Sequence, residues 1–405
     1  MKDVFKAQKI TEGVYWVGAI DWGLRDFHGY ATHRGSTYNA YLVLADKVAL
    51  IDTVKKPFKD ELLARVASVI DPKKISVIVS NHTEMDHTGC LPEVIEAVKP
   101  ERVVASKNGA AALARHFPAA TGIEAVEDGT TVSLGNRTLS FVETKMVHWP
   151  DSMLSYLVEE KLLFSQDAFG MHLATSELFG DNLPRALLED EAAKYFANIL
   201  MPLTSFITKT LEKVQALGLE FRIVAPDHGP IYRRDEEIQW IVGKYAEWCA
   251  QKPTMKAVVV YDTMWGSTER LARAISEGLK AGGAEPEVMP LRGCHRSDVA
   301  TAVLGAGALV MGTPTLNGMM FPTVADVLTY LQGLKPQNKV GAAFGSYGWG
   351  PAGVKQVQEI LGAMKVELVG DGLKVKYVPD EKDLEAAHAL GLAVAEKLKA
   401  VCTKS

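Results

Sequence analysis

Residues 82–87 read His82-Thr83-Glu84-Met85-Asp86-His87, a run in which four of six side chains can bind a metal. It follows an apolar stretch, Val77–Ser80, that has the length and β-branched content of a short buried strand. Donors that begin where a buried strand stops are placed at the carboxyl edge of a sheet. His82, Glu84 and Asp86 alternate along the run, and His87 adds a fourth donor. The carboxylate at position 84 matters because imidazole alone suits zinc, copper and iron alike. Added carboxylate makes a site harder and more anionic, which favours iron or manganese and a pair of ions sharing a bridging carboxylate.

Working outward from this run, the first 250 or so residues alternate strand-like segments with turns. Tyr38–Leu44, Ala45-Asp46-Lys47 and Val48–Asp52 read as a hairpin. Val103–Ala105, Thr138–Thr144, Met153–Val158 and Leu162–Ser165 read as further strands. Helical periodicity occupies Lys59–Ile70, Leu91–Val98 and a long stretch from Asp190 to Leu217. This mixture favours two sheets covered by helices over an all-β sandwich. Three later donors each stand near the end of a strand-like run: His148 in Met-Val-His-Trp-Pro-Asp, Asp167 in Leu-Leu-Phe-Ser-Gln-Asp and His228 in Ile-Val-Ala-Pro-Asp-His-Gly. Seven donors are enough for two ions, and Asp167, isolated between two late histidines, is the expected bridge. Of ten histidines, eight precede residue 250, so metal chemistry is expected in the first part of the chain.

Near Gln251-Lys252-Pro253 the pattern changes to strict alternation of strand and helix. Lys256–Tyr261, Glu287–Leu291, Ala308–Gly312, Lys339–Phe344 and Leu373–Val378 are expected strands, separated by amphipathic helices, and specify a doubly wound parallel sheet. The first strand runs into Thr263-Met264-Trp265-Gly266-Ser267-Thr268 and then a helix. Small hydroxyl residues and a glycine before a helix N-terminus suit a phosphate, and the lack of a following Lys points to a phosphate monoester and away from a triphosphate. Two more loops at strand ends, Thr313-Pro314-Thr315-Leu316-Asn317-Gly318 and Gly345-Ser346-Tyr347-Gly348-Trp349-Gly350, supply flat faces and backbone amides where such a sheet binds ligands.

The 82–87 run resembles the metallo-β-lactamase motif H-x-H-x-D-H with its second His replaced by Glu. Together with His148, Asp167 and His228, and with three loops that resemble flavodoxin over roughly residues 254–405, the chain resembles the flavodiiron proteins throughout. The resemblance implies a metallo-β-lactamase-like αββα sandwich over residues 1–252 and a flavodoxin-like five-stranded parallel sheet over 253–405. It implies FMN and two non-haem Fe ions. His82, Glu84 and His148 would hold one ion, Asp86, His87 and His228 the other, and Asp167 would bridge; His87 is the ligand most able to swing away. The implied activity is reduction of O2 to water, of NO to N2O, or both, with electrons from an external donor such as rubredoxin. A head-to-tail homodimer, or a dimer of such dimers, is implied as well.

Tyr195, His28 and His172 are candidates for hydrogen bonding near the ions, while His33 and His116 read as ordinary surface or core groups. Asp151 and Asp227 are candidates for orienting the histidines adjacent to them. Cys90, Cys249, Cys294 and Cys402 stand far apart with no C-x-x-C pair, which argues against a disulfide framework and against a rubredoxin-like module. A formal net charge of −5 at pH 7 without a basic stripe excludes nucleic acid as the expected partner. Neither a signal-like apolar start nor a membrane-length apolar run is present, so a cytoplasmic location away from membranes is expected. The competing readings are a zinc-dependent metallo-β-lactamase-type hydrolase with a fused flavodoxin-like module and, further off, a non-enzymatic electron carrier or sensor.

Overall fold

The computed structural model describes residues 4–119 and 122–403. These fall into two compact units. One comprises the residues up to His28, Thr32–Tyr195 and Ser205–Tyr245; the other comprises Gly29–Ala31, Phe196–Thr204 and Ala246 onward.

The first unit is built on two sheets. One has seven strands in the order Gln8–Thr11, Val14–Trp16, Tyr41–Val43, Val48–Ile51, Ile75–Ser80, Arg102–Ser106 and Ile123–Val126. The other has five, Thr131–Ser133, Thr138–Glu143, Met153–Leu157, Leu162–Gln166 and Ile223–Pro226. Side chains alternate across each strand, so both sheets have two faces to bury. Their inner faces share one core: Tyr41, Ile51, Val77 and Val79 from the first sheet meet Leu139, Phe141, Phe164 and Ala225 from the second. The outer face of the seven-stranded sheet packs Leu42, Leu50 and Ile78 against Leu62, Val66, Leu91, Val94 and Leu113 of three helices, Lys59–Ala67, Leu91–Val98 and Lys107–His116. Near the other sheet, Lys213 of the Thr204–Ala216 helix donates to the Glu143 carbonyl at 2.9 Å.

Two expected elements differ from the observed ones. Tyr38–Leu44 is not one strand: Ser36–Tyr38 pairs with Ala19–Asp21, and Tyr41–Val43 pairs with Val14–Trp16 and Val48–Ile51. The break falls at Asn39, whose backbone N–H leaves the sheets to donate to the Asp227 carbonyl at 2.7 Å. The long helix expected over Asp190–Leu217 is instead α-helix Arg185–Tyr195, a π-helical stretch Phe196–Leu200, a 3-10 turn Met201–Leu203 and α-helix Thr204–Ala216. Pro202 explains the interruption, because it lacks an N–H and its ring clashes with the preceding turn.

The second unit is a parallel sheet in the order Glu285–Pro290, Lys256–Tyr261, Ala308–Leu316 and Val340–Tyr347. Two short strands, Glu367–Leu368 and Leu373–Lys376, share the last position by pairing with different parts of Val340–Tyr347. Counted in chain order this is 2-1-3-4-5, the doubly wound arrangement. One face packs Ala257, Val259, Val310 and Phe344 against Leu271, Ile275 and Leu279 of helix Ser267–Ala281 and Val394 and Leu398 of helix Glu381–Cys402. These two helices cross on glycines: a Cβ added to Gly278 would stand 2.0 Å from the His388 carbonyl oxygen, and one added to Gly391 would stand 2.1 Å from that of Ile275. The expected fifth strand to Val378 stops at Lys376, because Tyr377 takes a φ of 60° and turns the chain out of the sheet.

Candidate metal centre and flavin cavity

Every expected metal donor lies just beyond a strand or in the loop that follows one. His82, Glu84, Asp86 and His87 follow Ile75–Ser80, His148 lies between Thr138–Glu143 and Met153–Leu157, Asp167 follows Leu162–Gln166, and His228 follows Ile223–Pro226. Donors from both sheets thus meet at one edge of the sandwich. The Glu84-Met85-Asp86-His87 segment turns into a one-turn helix, Met85–Thr88, which brings Asp86 and His87 inward while Met85 stays half exposed.

The seven donors divide into two groups, His82, Glu84, His148 and Asp167 in one and Asp86, His87 and His228 in the other. His148 Nε2 stands 3.0 Å from Asp167 Oδ2 and 3.2 Å from Glu84 Oε2, and His82 Nε2 lies 3.4 Å from each of those oxygens. In the second group His87 Nε2 is 3.1 Å from Asp167 Oδ1 and 3.4 Å from Asp86 Oδ1. His228 Nε2 is 3.3 Å from Asp86 Oδ2 and 3.4 Å from Asp167 Oδ1. One carboxylate, Asp167, therefore turns one oxygen to each group. Donors bound to a common ion at about 2.0–2.2 Å are about 3 Å apart, so these separations match shells around two ions. His87, the least secure donor from sequence, is buried and aimed inward.

The electrostatics fit cations. Burial pulls the His82 imidazole down, but Asp151, Glu84 and Asp167 hold it up at about 10. Burial raises Asp167 and the surrounding imidazoles, His87 foremost, more than reverse that, holding it well below the usual carboxylate range. Three ionised carboxylates among four imidazoles make an anionic cluster, and two divalent ions would more than offset its charge without protons on the histidines.

The supporting bonds depart from the expected pattern. Asp151 orients His82 and not its neighbour His148: its Oδ2 is 3.1 Å from His82 Nδ1 and accepts the Thr83 N–H at 2.7 Å. Asp227 stands 3.4 Å from His87 Nδ1, whereas its neighbour His228 donates from Nδ1 to the Thr37 carbonyl at 2.6 Å. The pairs cross because Asp151 and Asp227 lie at strand ends of the five-stranded sheet, while His82 and His87 follow Ile75–Ser80 of the seven-stranded sheet. Burial, and then the nearby Asp52, push the Asp227 carboxyl well up. Thr37, Ser36 and Asp52 carry no sequence signal of this kind.

His28, from a surface turn, places Nε2 3.0 Å from Glu84 Oε1, the oxygen facing away from the other donors. His172 is buried with Nδ1 2.8 Å from Ser36 Oγ, and burial together with His228 holds it well below the ordinary imidazole range. Tyr195 is buried with its ring 5.1 Å from His172 and 6.1 Å from His228. Phe27 and Tyr38 complete an aromatic surround, with rings 6.5 and 6.0 Å from His228. His33 and His116 are exposed and outside the cluster.

In the second unit a cavity of about 600 Å³ opens at the carboxyl ends of the strands. Met264, Trp265 and Ser267, the loop Pro314–Gly318, and Ser346 through Gly350 all line it, as expected from the three loops. Thr263, Gly266 and Thr268 do not. Thr263 Oγ1 accepts the Gly266 N–H at 3.0 Å, and Thr268 is buried with its hydroxyl 3.0 Å from Ser346 Oγ. These residues shape the loop from behind. Ala352, Tyr377 and Val378 also line the cavity and were missed; the last two follow a strand end, where the rule for doubly wound sheets places ligands. Gly266, at a φ of 87°, precedes helix Ser267–Ala281 without a side-chain cap, so the first helical N–H groups are available to a phosphate.

Comparison with known proteins agrees with both halves. Residues 37–229 match the ODP family beta lactamase model and 259–391 the flavodoxin model. The chain is 46% identical over 393 residues to the nitric oxide reductase of Moorella thermoacetica, covering 96% of this chain and 98% of that one. It is 44% identical over 397 residues to the rubredoxin-oxygen oxidoreductase of Megalodesulfovibrio gigas, covering 98% and 99%. Among solved structures, rubredoxin oxygen:oxidoreductase from Desulfovibrio gigas superposes with a TM-score of 0.96 at 44% identity, covering 98% and 99%. The flavodiiron protein from Giardia intestinalis does so with 0.94 at 33% identity, covering 98% of each chain. Two sheets that pool their strand ends around Asp167, followed by a flavodoxin sheet with its cavity open, are here joined in one chain with full-length relatives of the same build, and the chain belongs to the flavodiiron protein family.

Proposed function

We propose that this protein reduces O2 to water, NO to N2O, or both at a non-haem di-iron centre, with electrons entering through FMN from a rubredoxin-like donor. The observation that carries this reading is Asp167, whose two oxygens serve two separate donor groups in a chain that also holds a flavin-sized cavity. Two ferrous ions and a reduced flavin together supply four electrons, enough to take O2 to two waters, while two suffice to couple two NO molecules.

The chain's own residues do the rest. His82, Glu84 and His148 would hold one ion, Asp86, His87 and His228 the other, with Asp167 between them. His28 donates a hydrogen bond to the outer oxygen of Glu84 and so limits the rotation of that carboxylate. Asp151 and the Thr37 carbonyl fix the orientations of His82 and His228, and the Asp227 carboxyl stands 3.4 Å from His87 Nδ1. The rings of Phe27, Tyr38 and Tyr195 suit a small, weakly polar substrate and limit water near His228.

The metal chemistry is assigned to residues 1–252 and the flavin to 253–405, supported by the placement of all seven donors before residue 229 and of the whole cavity lining after residue 263. A head-to-tail homodimer is part of the proposal. Its support is the cavity mouth, where Trp265 and Trp349 are 95% and 92% exposed in the single chain. Four cysteines outside any disulfide fit a reducing, cytoplasmic setting, and among the described residues no helix is long and apolar enough to cross a membrane.

The deciding experiment quantifies iron, zinc and FMN in the purified protein, reduces it anaerobically with reduced rubredoxin, and then follows consumption of added O2 and, in parallel, of added NO. Two iron and one FMN per chain with gas consumption are expected. Two zinc with thioester or lactam hydrolysis, and no flavin-dependent gas uptake, would overturn the reading.

A further inference from the structure

A charged network lies behind the Thr263–Thr268 loop. Asp262 directly follows the Lys256–Tyr261 strand and is buried. Its Oδ1 accepts the Thr263 N–H at 2.7 Å, and its Oδ2 accepts the Thr323 hydroxyl at 2.6 Å. Arg292, just past the neighbouring Glu285–Pro290 strand, brings Nε to 3.5 Å from Asp262 Oδ1 and donates from Nη2 to the Thr263 carbonyl at 2.6 Å. The Thr263 hydroxyl in turn holds the Gly266 N–H. Carboxylate and guanidinium are therefore both bonded to Thr263 and stand side by side at the root of the loop.

A phosphate monoester carries about −1.5 to −2 charges at neutral pH. A buried carboxylate at the root of the loop that receives it is repulsive unless a cation offsets it. Arg292 supplies that cation. Its bond to the Thr263 carbonyl also fixes the peptide that follows: in a planar trans peptide, a carbonyl aimed at Arg292 directs the Met264 N–H the opposite way. Met264 lines the cavity.

We propose that Arg292, paired with Asp262, is a positioning residue that makes this cavity select a phosphorylated flavin over the unphosphorylated ring. This rests on the flavin reading above. Asp262 shapes the loop by taking the Thr263 N–H, and Arg292 removes the electrostatic cost of having it there. The aromatic cavity-lining residues Trp265, Tyr347 and Trp349, which would face the ring, lie outside the network, so recognition of the ring does not depend on it.

The test uses the full chain with its flavin removed, titrated with FMN and with riboflavin by flavin fluorescence. Loss of a charge-assisted bond predicts that Arg292→Gln weakens FMN by about tenfold or more while riboflavin changes by less than about threefold. Arg292→Lys, which retains the charge, should keep most of the preference for FMN. Adding Asp262→Asn to Arg292→Gln should restore much of the FMN affinity, because the uncompensated charge is gone. Equal weakening of FMN and riboflavin by Arg292→Gln would overturn the proposal and leave Arg292 a loop-folding residue, as would unchanged FMN affinity. Failure of the unaltered chain to bind either flavin would instead overturn the flavin reading, and this inference with it.

Discussion

Asp167 is the residue on which the binuclear arrangement depends, because each of its oxygens faces a different donor group. Asp167→Ala removes a donor from both, and iron is expected to fall from two per chain to one or none while FMN content is unchanged. Metal analysis beside flavin absorbance checks this, and retention of two iron would count against the bridge. Asp151→Asn tests the next layer. It keeps an acceptor for the Thr83 N–H but removes the charge beside His82, so iron affinity should drop by about 10–100-fold with the fold intact. Competition with a chelator of known affinity measures it. The chain position of Asp151 points to the wrong histidine, since it sits three residues from His148 but bonds to His82. Sequence proximity identified the kind of residue required, and only folding assigned its partner.

Three helices and one strand end of the flavodoxin-like unit carry stability predictions. Helices Ser267–Ala281 and Glu381–Cys402 touch backbone to backbone at Gly278 and Gly391, where an added Cβ would lie 2.0 and 2.1 Å from carbonyl oxygens. Gly391→Ala should therefore cost about 1–3 kcal/mol by forcing the helices apart. Gly333, in helix Pro322–Leu334, has open space at its Cβ position, and Gly333→Ala should instead stabilise by about 0.5–1 kcal/mol. Chemical denaturation of both variants provides the comparison, and equal effects would contradict the packing argument. Lys339, at the start of the Val340–Tyr347 strand, is buried with its ammonium donating to the Ala306 carbonyl, and burial lowers its pKa from 10.5 to about 8. The unfolded chain therefore holds this proton more tightly than the folded one. The penalty is complete below about pH 8 and disappears as pH rises toward 10.5. Lys339→Met is expected to stabilise by at most about 3 kcal/mol at pH 7, with the gain shrinking across that window. A gain that grows with pH would refute this.

At the scale of the whole molecule, the cluster of metal donors and the flavin-sized cavity are built from different residues, all of the donors preceding residue 229 and all of the cavity lining following 263. Iron removal by a chelator should leave FMN bound and reducible by the donor, while O2 and NO consumption stop. Loss of flavin on chelation, followed by absorbance after desalting, would show that the two sites are not independent. Much of this division was legible in sequence. The change at Gln251-Lys252-Pro253 marks where strict strand–helix alternation begins, and hydrophobic periodicity plus donors at strand ends placed the metal cluster and the flavin loops at sheet edges. These features are local: a buried strand, a turn or a helix start is specified by a few consecutive residues. What remained hidden was non-local. The split of Tyr38–Leu44 at Asn39, the partners of Asp151 and Asp227, and the entry of Tyr377 into the cavity all depend on which segments pack together. The sequence by itself determined the donor set, its order and the two kinds of sheet, because residue chemistry and periodicity are written along the chain. Only the tertiary structure decided that the two oxygens of Asp167 face different groups, because that requires strand ends from two sheets to meet at one edge.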